Sequence, residues 1–124
     1  MKKLSVQHII MLHDVLIKET GGATGLRDEG LLESAVSTPF TTFDGNYLYP
    51  TTQQKGARLG FGLVKNHAFV DGNKRIGILA MITFLEINGI YLTYTDDELI
   101  DLGLALAEGS ITENQLLDWI IKHS

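Results

Sequence analysis

The sequence contains no cysteine, only two prolines and no long uninterrupted run of apolar residues. Without cysteine the chain can form neither a disulfide bond nor a thiolate metal site, which suits a reducing, bacterial-type cytosol. Without a long apolar run it has no candidate transmembrane segment, and Ser5, Gln7 and His8 interrupt any signal-peptide hydrophobic region. We therefore expect a cytoplasmic protein that does not contact the membrane.

The sequence also lacks an excess of positive charge. Ten lysines and arginines stand against fifteen aspartates and glutamates, which gives a formal net charge of −5. A general nucleic-acid binder needs a basic face for the phosphates, so this balance argues against direct nucleic-acid binding. The 44% hydrophobic and 20% charged composition is ordinary for a globular protein, and 124 residues are enough to bury a core. We expect one domain over residues 1–124.

Apolar residues recur at helical spacing along most of the chain. Capping residues and glycine stops divide this pattern into six predicted helices, over 5–19, 29–37, 53–65, 73–88, 99–107 and a last segment capped by Ser110 or Thr112. The stretch 76–87 is apolar on every side, which predicts a central helix. Gly56 and Gly60 lie one turn apart on the third helix and predict its close approach to the fourth, near Gly77. The predicted fold class is all-α.

One short segment departs from the helical pattern. β-favouring residues flank Asp44-Gly45-Asn46, a sequence that is typical of a tight hairpin turn. An isolated two-stranded hairpin is marginally stable, so its aromatic residues need either the core or a partner to contact. One interpretation is a packed loop with Phe40 and Phe43 buried, and the other is a hairpin that serves a partner.

The strongest signal is the stretch 67–75, His-Ala-Phe-Val-Asp-Gly-Asn-Lys-Arg, between the third and fourth helices. Asn73 is a candidate N-cap, and Gly72 can adopt the backbone conformation that the turn needs. Lys74 and Arg75 then lie in the first helical turn, where a cation is disfavoured by about 0.3–1 kcal/mol because the free N–H groups are already partly positive. A bound anion would remove this conflict, so the stretch predicts a phosphate-binding site.

The rest of the stretch suits phosphoryl chemistry. Asp71 offers a hard oxygen ligand for a magnesium ion that also contacts phosphates. Histidine is the residue type in this stretch that commonly serves as a general base near neutral pH, so His67 is the candidate base. Phe69 is apolar among polar neighbours, so we expect it to be buried and to anchor the loop.

Other polar residues are explained more simply without a metal-binding or catalytic role. His8 and His13 are five residues apart with no third ligand nearby, so a surface or capping role is preferred over metal binding. The acidic first turn of the fifth helix, residues 96–101, complements the helix dipole. For Arg58 and Lys65, a solvated helix face and a role in the site both stay open.

The stretch 67–75 resembles the signature loop of the Fic/Doc (Fido) superfamily, His-x-Phe-x-(Asp/Glu)-(Gly/Ala)-Asn-(Gly/Lys)-Arg. Chain length, helix order and the Leu48-Tyr49-Pro50-Thr51 approach extend the resemblance over nearly the whole chain. At position 74 the superfamily usually has glycine, whereas this sequence has lysine. In this respect it resembles the death-on-curing (Doc) branch. The resemblance implies a compact bundle of about six helices with a short hairpin-like flap, and a toxin of a type II toxin–antitoxin system.

The resemblance also implies a reaction that uses ATP and Mg²⁺. Most members of the superfamily transfer AMP to a protein hydroxyl. Doc-type members are understood to bind ATP in the reversed sense and to phosphorylate a threonine of elongation factor Tu, which halts translation. Because Lys74 would crowd the usual phosphate pose, a kinase is favoured, an adenylyltransferase is the runner-up, and a non-catalytic module that binds an antitoxin is the third possibility.

The resemblance implies a role for each residue of the site. The base that takes the proton from the target hydroxyl would be His67, and Asp71 would hold magnesium. The turn amides and two cations would bind phosphate oxygens and offset the charge that develops in transfer. The implied catalytic residues are His67, Asp71, Lys74 and Arg75, and the implied ligand-binding residues are Gly72, Asn73, Lys74 and Arg75.

The resemblance makes the hairpin a flap that aligns the target beside the catalytic base. The implied docking residues are Asp44, Gly45, Asn46, Tyr47 and Leu48. The chain lacks the Ser/Thr-x-x-x-Glu-(Gly/Asn) motif that restrains many relatives in cis, because Gly25, Leu104 and Gly109 occupy its first position. Restraint would instead come from a Phd-like antitoxin whose disordered C-terminal segment folds onto the toxin.

Overall fold

The computed structural model describes residues 1–124 and confirms the predicted all-α fold with six helices. The helices are α1 (Val6–Thr20), α2 (Glu29–Ser37), α3 (Thr52–Asn66), α4 (Asn73–Ile87), α5 (Asp96–Glu108) and α6 (Glu113–His123). A 3-10 turn (Thr38–Phe40) follows α2 and leads to the strands β1 (Thr42–Phe43) and β2 (Asn46–Tyr47). None of the helices combines the length and hydrophobicity needed to span a membrane.

Local side-chain caps explain where the helices begin. Four helices start with a capping box. In this motif the hydroxyl of the cap residue accepts a hydrogen bond from the backbone N–H of the residue three positions later, and the side chain of that residue accepts a hydrogen bond from the backbone N–H of the cap residue. These caps are Ser5, Thr51, Thr95 and Thr112. At α1 the second acceptor is the His8 imidazole, which confirms the capping role for this histidine. Asp28 caps α2, which begins at residue 29 as predicted.

Helices α3 and α4 lie against each other at glycines, as the spacing of Gly56 and Gly60 predicts. A Cβ atom on Gly77 of α4 would lie 2.9 Å from the Gly60 carbonyl oxygen and 2.6 Å from a methyl group of Val64. A Cβ atom on Gly56 would lie 2.9 Å from Leu85. The two helices that carry the ends of the 67–75 stretch are therefore in direct backbone contact, which limits their relative movement.

The buried core surrounds this helix pair. Helix α4 contacts α3, α1 and α5, which confirms its central place, and Ile76, Phe84 and Leu85 are almost completely buried. Arg58 of α3 forms an ion pair with Glu113 at the start of α6. This contact favours a structural role for Arg58.

The hairpin forms with the register Thr42–Tyr47 and Phe43–Asn46. The two residues between the strands, Asp44 and Gly45, both have positive φ, as a two-residue type I′ turn requires. The side chain of Phe43 is 71% exposed, so the packed-loop interpretation was wrong for this residue. Both residues of β1 and both residues of β2 are exposed, so the hairpin stands away from the core.

Candidate active site

The stretch 67–75 is a tight loop between α3 and α4. His67 is the C-cap of α3 and adopts the left-handed conformation, with φ 49° and ψ 48°. Gly72 is the N-cap of α4, with φ 76°. The prediction that Asn73 caps α4 was wrong: it is the first helical residue, because its carboxamide accepts from the N–H and donates to the C=O of Phe69, each at 3.0 Å. Asn73 thus closes the loop.

Phe69 anchors the loop as predicted. Its side chain is 2% exposed and stacks on the imidazole of His13, with ring centroids 3.8 Å apart. Since a carbonyl oxygen can only accept, the Nε2–H of His13 donates to the Asp71 carbonyl at 2.7 Å. The expectation of a surface or capping role for His13 was wrong, because the packing of α1 against α4 turns it inward.

An open cleft of about 460 Å³ lies at the N-terminus of α4. It brings together all the predicted catalytic and ligand-binding residues, His67, Asp71, Gly72, Asn73, Lys74 and Arg75. Its apolar side consists of Val64, Val70, Leu106 and Ala107. Because the six predicted residues line one cleft, they can contact the same ligand.

The N-terminus of α4 presents free donors to this cleft. The backbone N–H groups of Asn73, Lys74 and Arg75 have no acceptor within the chain, and no side chain caps the helix. Lys74 forms no ion pair, and its aliphatic part lies near Gly103 of α5. Free N–H groups beside a cation favour an anion such as phosphate.

The carboxylate of Asp71 is fixed but remains partly open to solvent. It accepts hydrogen bonds from the N–H of Ala23 at 3.1 Å and of Gly72 at 2.8 Å, and Arg75 lies 3.7 Å away. The hydrogen bond from Ala23, followed by that from Gly72, lowers the pKa of Asp71 below its usual range. The group is therefore ionised at neutral pH.

This carboxylate could bind a magnesium ion whose other ligands are substrate phosphates and water. No group of three or more His, Cys, Asp or Glu side chains converges anywhere in the chain. Magnesium in phosphoryl-transfer sites commonly takes one or two carboxylates together with substrate phosphates and water. The ionised Asp71 side chain, 47% exposed at the edge of this cleft, could serve as such a carboxylate.

His67 is available for proton transfer. The residue is exposed, and its imidazole has no hydrogen-bond partner within the chain. Its carbonyl oxygen, in contrast, accepts from both Nε and Nη2 of Arg27. The backbone is thus held while the ring nitrogens remain free.

A second segment, residues 20–28, consists of the last residue of α1 and the loop that follows it. It contacts the stretch 67–75 along its length, and we call it the brace. Its backbone contacts are Ala23 N–H to Asp71 Oδ2, Val70 N–H to Gly25 O, and the N–H groups of Arg27 and Asp28 to Ala68 O. Arg75 donates in turn to Thr20 and Gly21. Part of the Arg75 guanidinium is therefore committed to the brace.

Sequence reasoning did not single out the brace. The available signal was three glycines in five residues, Gly21, Gly22 and Gly25, and all three have positive φ. A Cβ atom on Gly22 would lie 2.5 Å from Asp71 Oδ2, so glycine is needed for the close approach. Such a cluster indicates close backbone contact but does not identify the contacting segment.

The predicted docking residues of the hairpin, Asp44 to Leu48, are exposed and do not line the cleft. Beneath them, Lys55 of α3 is 1% exposed, donates to the carbonyl of Tyr49 and lies 4.0 Å from the ring centroid of Tyr47. Burial lowers the pKa of Lys55. This lysine, which sequence reasoning did not single out, ties the hairpin to the helix that leads into the cleft.

Comparison with known proteins matches this site to one family. The sequence profile of the Fic/DOC family matches residues 3–85, which include the brace and the stretch 67–75. The chain is 49% identical over 72 residues to Toxin Doc of Mycolicibacterium smegmatis (strain ATCC 700084 / mc(2)155), a match that covers 58% of this chain and 55% of that protein. The chain thus spans about half the length of that relative.

A second relative is matched over almost its whole length. The chain is 27% identical over 129 aligned positions to Protein kinase doc of Escherichia phage P1. The match covers 95% of this chain and 92% of the phage protein.

Proposed function

This chain belongs to the Fic/DOC family, and on that premise we propose that it is a Doc-type toxin that acts in the cytoplasm. It transfers the γ-phosphoryl group of ATP to a hydroxyl of a translation protein, and the proposed acceptor is a threonine of elongation factor Tu. The observation that carries the proposal is the shared cleft of a free imidazole (His67), an ionised carboxylate (Asp71) and unpartnered N–H groups at the α4 N-terminus.

His67 is the general base. Its free ring nitrogen takes the proton of the target hydroxyl as the oxygen attacks the γ-phosphorus of ATP. The bond from the γ-phosphorus to the bridging oxygen breaks, ADP leaves, and the target carries the phosphoryl group. Contributions of about 10²–10⁴-fold are typical of such a base.

The N-terminus of α4 binds the phosphates. The N–H groups of Asn73, Lys74 and Arg75 point their partial positive charge at the cleft, and the Lys74 ammonium adds a full charge. Asp71 would hold Mg²⁺, which when bound neutralises phosphate charge. These donors are fixed by the fold before ATP arrives, so little reorganisation accompanies transfer.

The choice of γ-phosphoryl transfer rests on Lys74. This side chain lines the cleft. It stands at the position where the superfamily usually has glycine, and a lysine there would crowd the usual phosphate pose. We infer that ATP binds with its γ-phosphate toward His67. Transfer of AMP is the second candidate, because it would use the same base and the same helix N-terminus.

The proposed partner that restrains the toxin is a Phd-like antitoxin with a disordered C-terminal segment. The chain has no inhibitory Ser/Thr-x-x-x-Glu-(Gly/Asn) motif to fill its own cleft. A segment that folds on binding would suit a labile inhibitor. Co-expression with the neighbouring open reading frame should restore growth of cells that express the toxin, and continued growth arrest would contradict this partner.

The test is transfer from ATP that carries the label at either the α- or the γ-phosphate, with Mg²⁺ and elongation factor Tu. His67→Ala is compared with wild type and with Lys65→Ala, a control at an exposed residue that does not line the cleft. The γ label should appear on the factor with wild type and Lys65→Ala, and should fall by about 10²–10⁴-fold with His67→Ala. The α label on the factor would establish AMP transfer instead. Absence of both labels, in the factor and in a bacterial lysate, would leave a non-catalytic antitoxin-binding module.

A further inference from the structure

We propose that Arg27 is a positioning residue that holds the imidazole of His67 in its reactive orientation. The inference rests on the proposed function, in which His67 is the base. Arg27 lies on the brace, 40 residues before His67 in the chain, and its Nε and Nη2 atoms both donate to the His67 carbonyl oxygen. The Nε–oxygen distance is 2.8 Å.

The backbone of His67 needs such support. Its φ of 49° and ψ of 48° place a non-glycine residue in the left-handed region, which L-amino acids with a Cβ atom disfavour. The residue also ends α3, where the last carbonyl groups lack helical partners and carry partial negative charge. A guanidinium supplies two donors and a positive charge at that point. It therefore stabilises the conformation that directs the imidazole into the cleft.

Arg27 also holds the next peptide group. Its backbone N–H donates to the Ala68 carbonyl at 2.7 Å, and its Nη2 also donates to the Asn66 carbonyl at 3.4 Å. One residue thus binds three successive carbonyl groups, at Asn66, His67 and Ala68. The fixed carbonyls of His67 and Ala68 restrain the backbone of Ala68 between them, and with it the direction in which the loop leaves. The fixed His67 carbonyl restrains the ψ angle of His67. A change in that angle would move the imidazole, although none of these contacts involves the ring itself.

The side chain of Arg27 is suited to a test because it lies outside the core. The residue is exposed, so its truncation creates no cavity. Lysine at this position would keep the charge but lose the planar fork that places two donors on one oxygen. The backbone N–H to Ala68 remains in every variant.

The experiment compares Arg27→Ala, Arg27→Lys and the exposed control Lys65→Ala with wild type. We expect kcat to fall about 10- to 100-fold in Arg27→Ala, in line with the effect of misplacing a reacting group by about 1 Å. KM for ATP and for the target should stay unchanged, since the phosphate donors on α4 are untouched. Arg27→Lys should recover only part of kcat. Added guanidinium, below denaturing concentration, should raise kcat of Arg27→Ala and leave Lys65→Ala unaffected.

A second readout does not depend on transfer. The Cα and Cβ chemical shifts of His67 report its left-handed conformation by NMR. They should move away from the left-handed range in Arg27→Ala and return with guanidinium. Unchanged shifts together with unchanged kcat would overturn the proposal, as would a rise in KM without loss of kcat. Altered shifts in a protein that transfers no label would uphold the positioning role and refute the proposed function.

Discussion

The imidazole of His13 stacks on the phenyl ring of Phe69, with ring planes 11° apart and centroids 3.8 Å apart. The same imidazole donates to the carbonyl of Asp71, while its Nδ1 is buried without a partner. Helix α1 therefore supports the stretch 67–75 through one buried side chain. The brace supports the same loop from the side, so two segments from the first quarter of the chain determine the shape of the site.

Substitution at His13 should separate its two contacts. His13→Phe keeps an aromatic ring against Phe69 but loses the donor to Asp71, so unfolding free energy should fall by about 0.5–1.5 kcal/mol, the net value of one hydrogen bond. His13→Ala also removes the stacked ring and leaves a cavity, which should cost about 2–5 kcal/mol. Urea denaturation measures both. Equal losses in the two variants would show that stacking contributes nothing.

The glycine contact between α3 and α4 makes a prediction about packing. Gly77→Ala would place Cβ 2.9 Å from the Gly60 carbonyl oxygen, so the helices must separate, and stability should fall by about 1–3 kcal/mol. Gly103→Ala in α5 is the matched control, because its Cβ would meet no atom closer than 3.8 Å. The control should gain up to about 1 kcal/mol from helix propensity. A control as unstable as Gly77→Ala would contradict the packing argument.

The ion pair of Glu98 with His123 predicts a pH window for stability. The hydrogen bond to Glu98, and next the Trp119 carbonyl, raise the pKa of His123 above its ordinary 6.5. The hydrogen bond to His123, and next those from Thr95, lower the pKa of Glu98 below its ordinary 4.5. The His123 contribution is complete below pH 6.5 and is lost as pH rises through the raised pKa. The Glu98 contribution is complete above pH 4.5 and is lost as pH falls through the lowered pKa.

Glu98→Gln measures that window. The variant keeps the oxygen that accepts the Thr95 N–H, and it replaces the charged Oε2 that contacts His123 Nε2 with a neutral amide nitrogen. The difference in melting temperature from wild type should be largest between about pH 4.5 and 6.5 and should shrink above that range. A difference that is constant from pH 5 to pH 9 would show that the pair carries no charge-dependent stabilisation.

Substitutions in the exposed hairpin should affect binding of the target protein and leave binding of ATP unchanged. Phe43 is 71% exposed, so Phe43→Ser should change unfolding free energy by no more than about 0.5 kcal/mol. If the hairpin docks the target, KM for the target protein should rise while KM for ATP stays the same. Ile121→Ser, on α6 and 55% exposed, is the matched control. The same KM for the target in both variants would remove the hairpin from docking.

Asp71 should set the magnesium requirement. Asp71→Asn removes the negative charge, so the Mg²⁺ concentration for half-maximal transfer should rise about tenfold or more, the lower end of the range for altered metal-site partners. Glu33→Gln, an exposed carboxylate on α2, is the control and should leave that concentration unchanged. An unchanged magnesium dependence in Asp71→Asn would place the metal elsewhere.

The six helices and most of their caps were predictable, because their signals lie within three or four residues. A threonine such as Thr51 and its partner Gln54 belong to one helical turn, and the spacing of Gly56 and Gly60 is likewise local. The stretch 67–75 was also recognisable from sequence, since its residues are contiguous and their types match one chemistry.

Only the tertiary structure decided how that stretch is held. The contacts of His13 with Asp71, Ala23 with Asp71 and Arg27 with His67 join positions 40 or more residues apart. Their geometry depends on how α1 packs against α4, which no local pattern encodes. The same reason explains the error at Asn73, because its carboxamide is satisfied by the folded loop. Residue types therefore determined which chemistry is available, and packing determined which groups remain free to perform it.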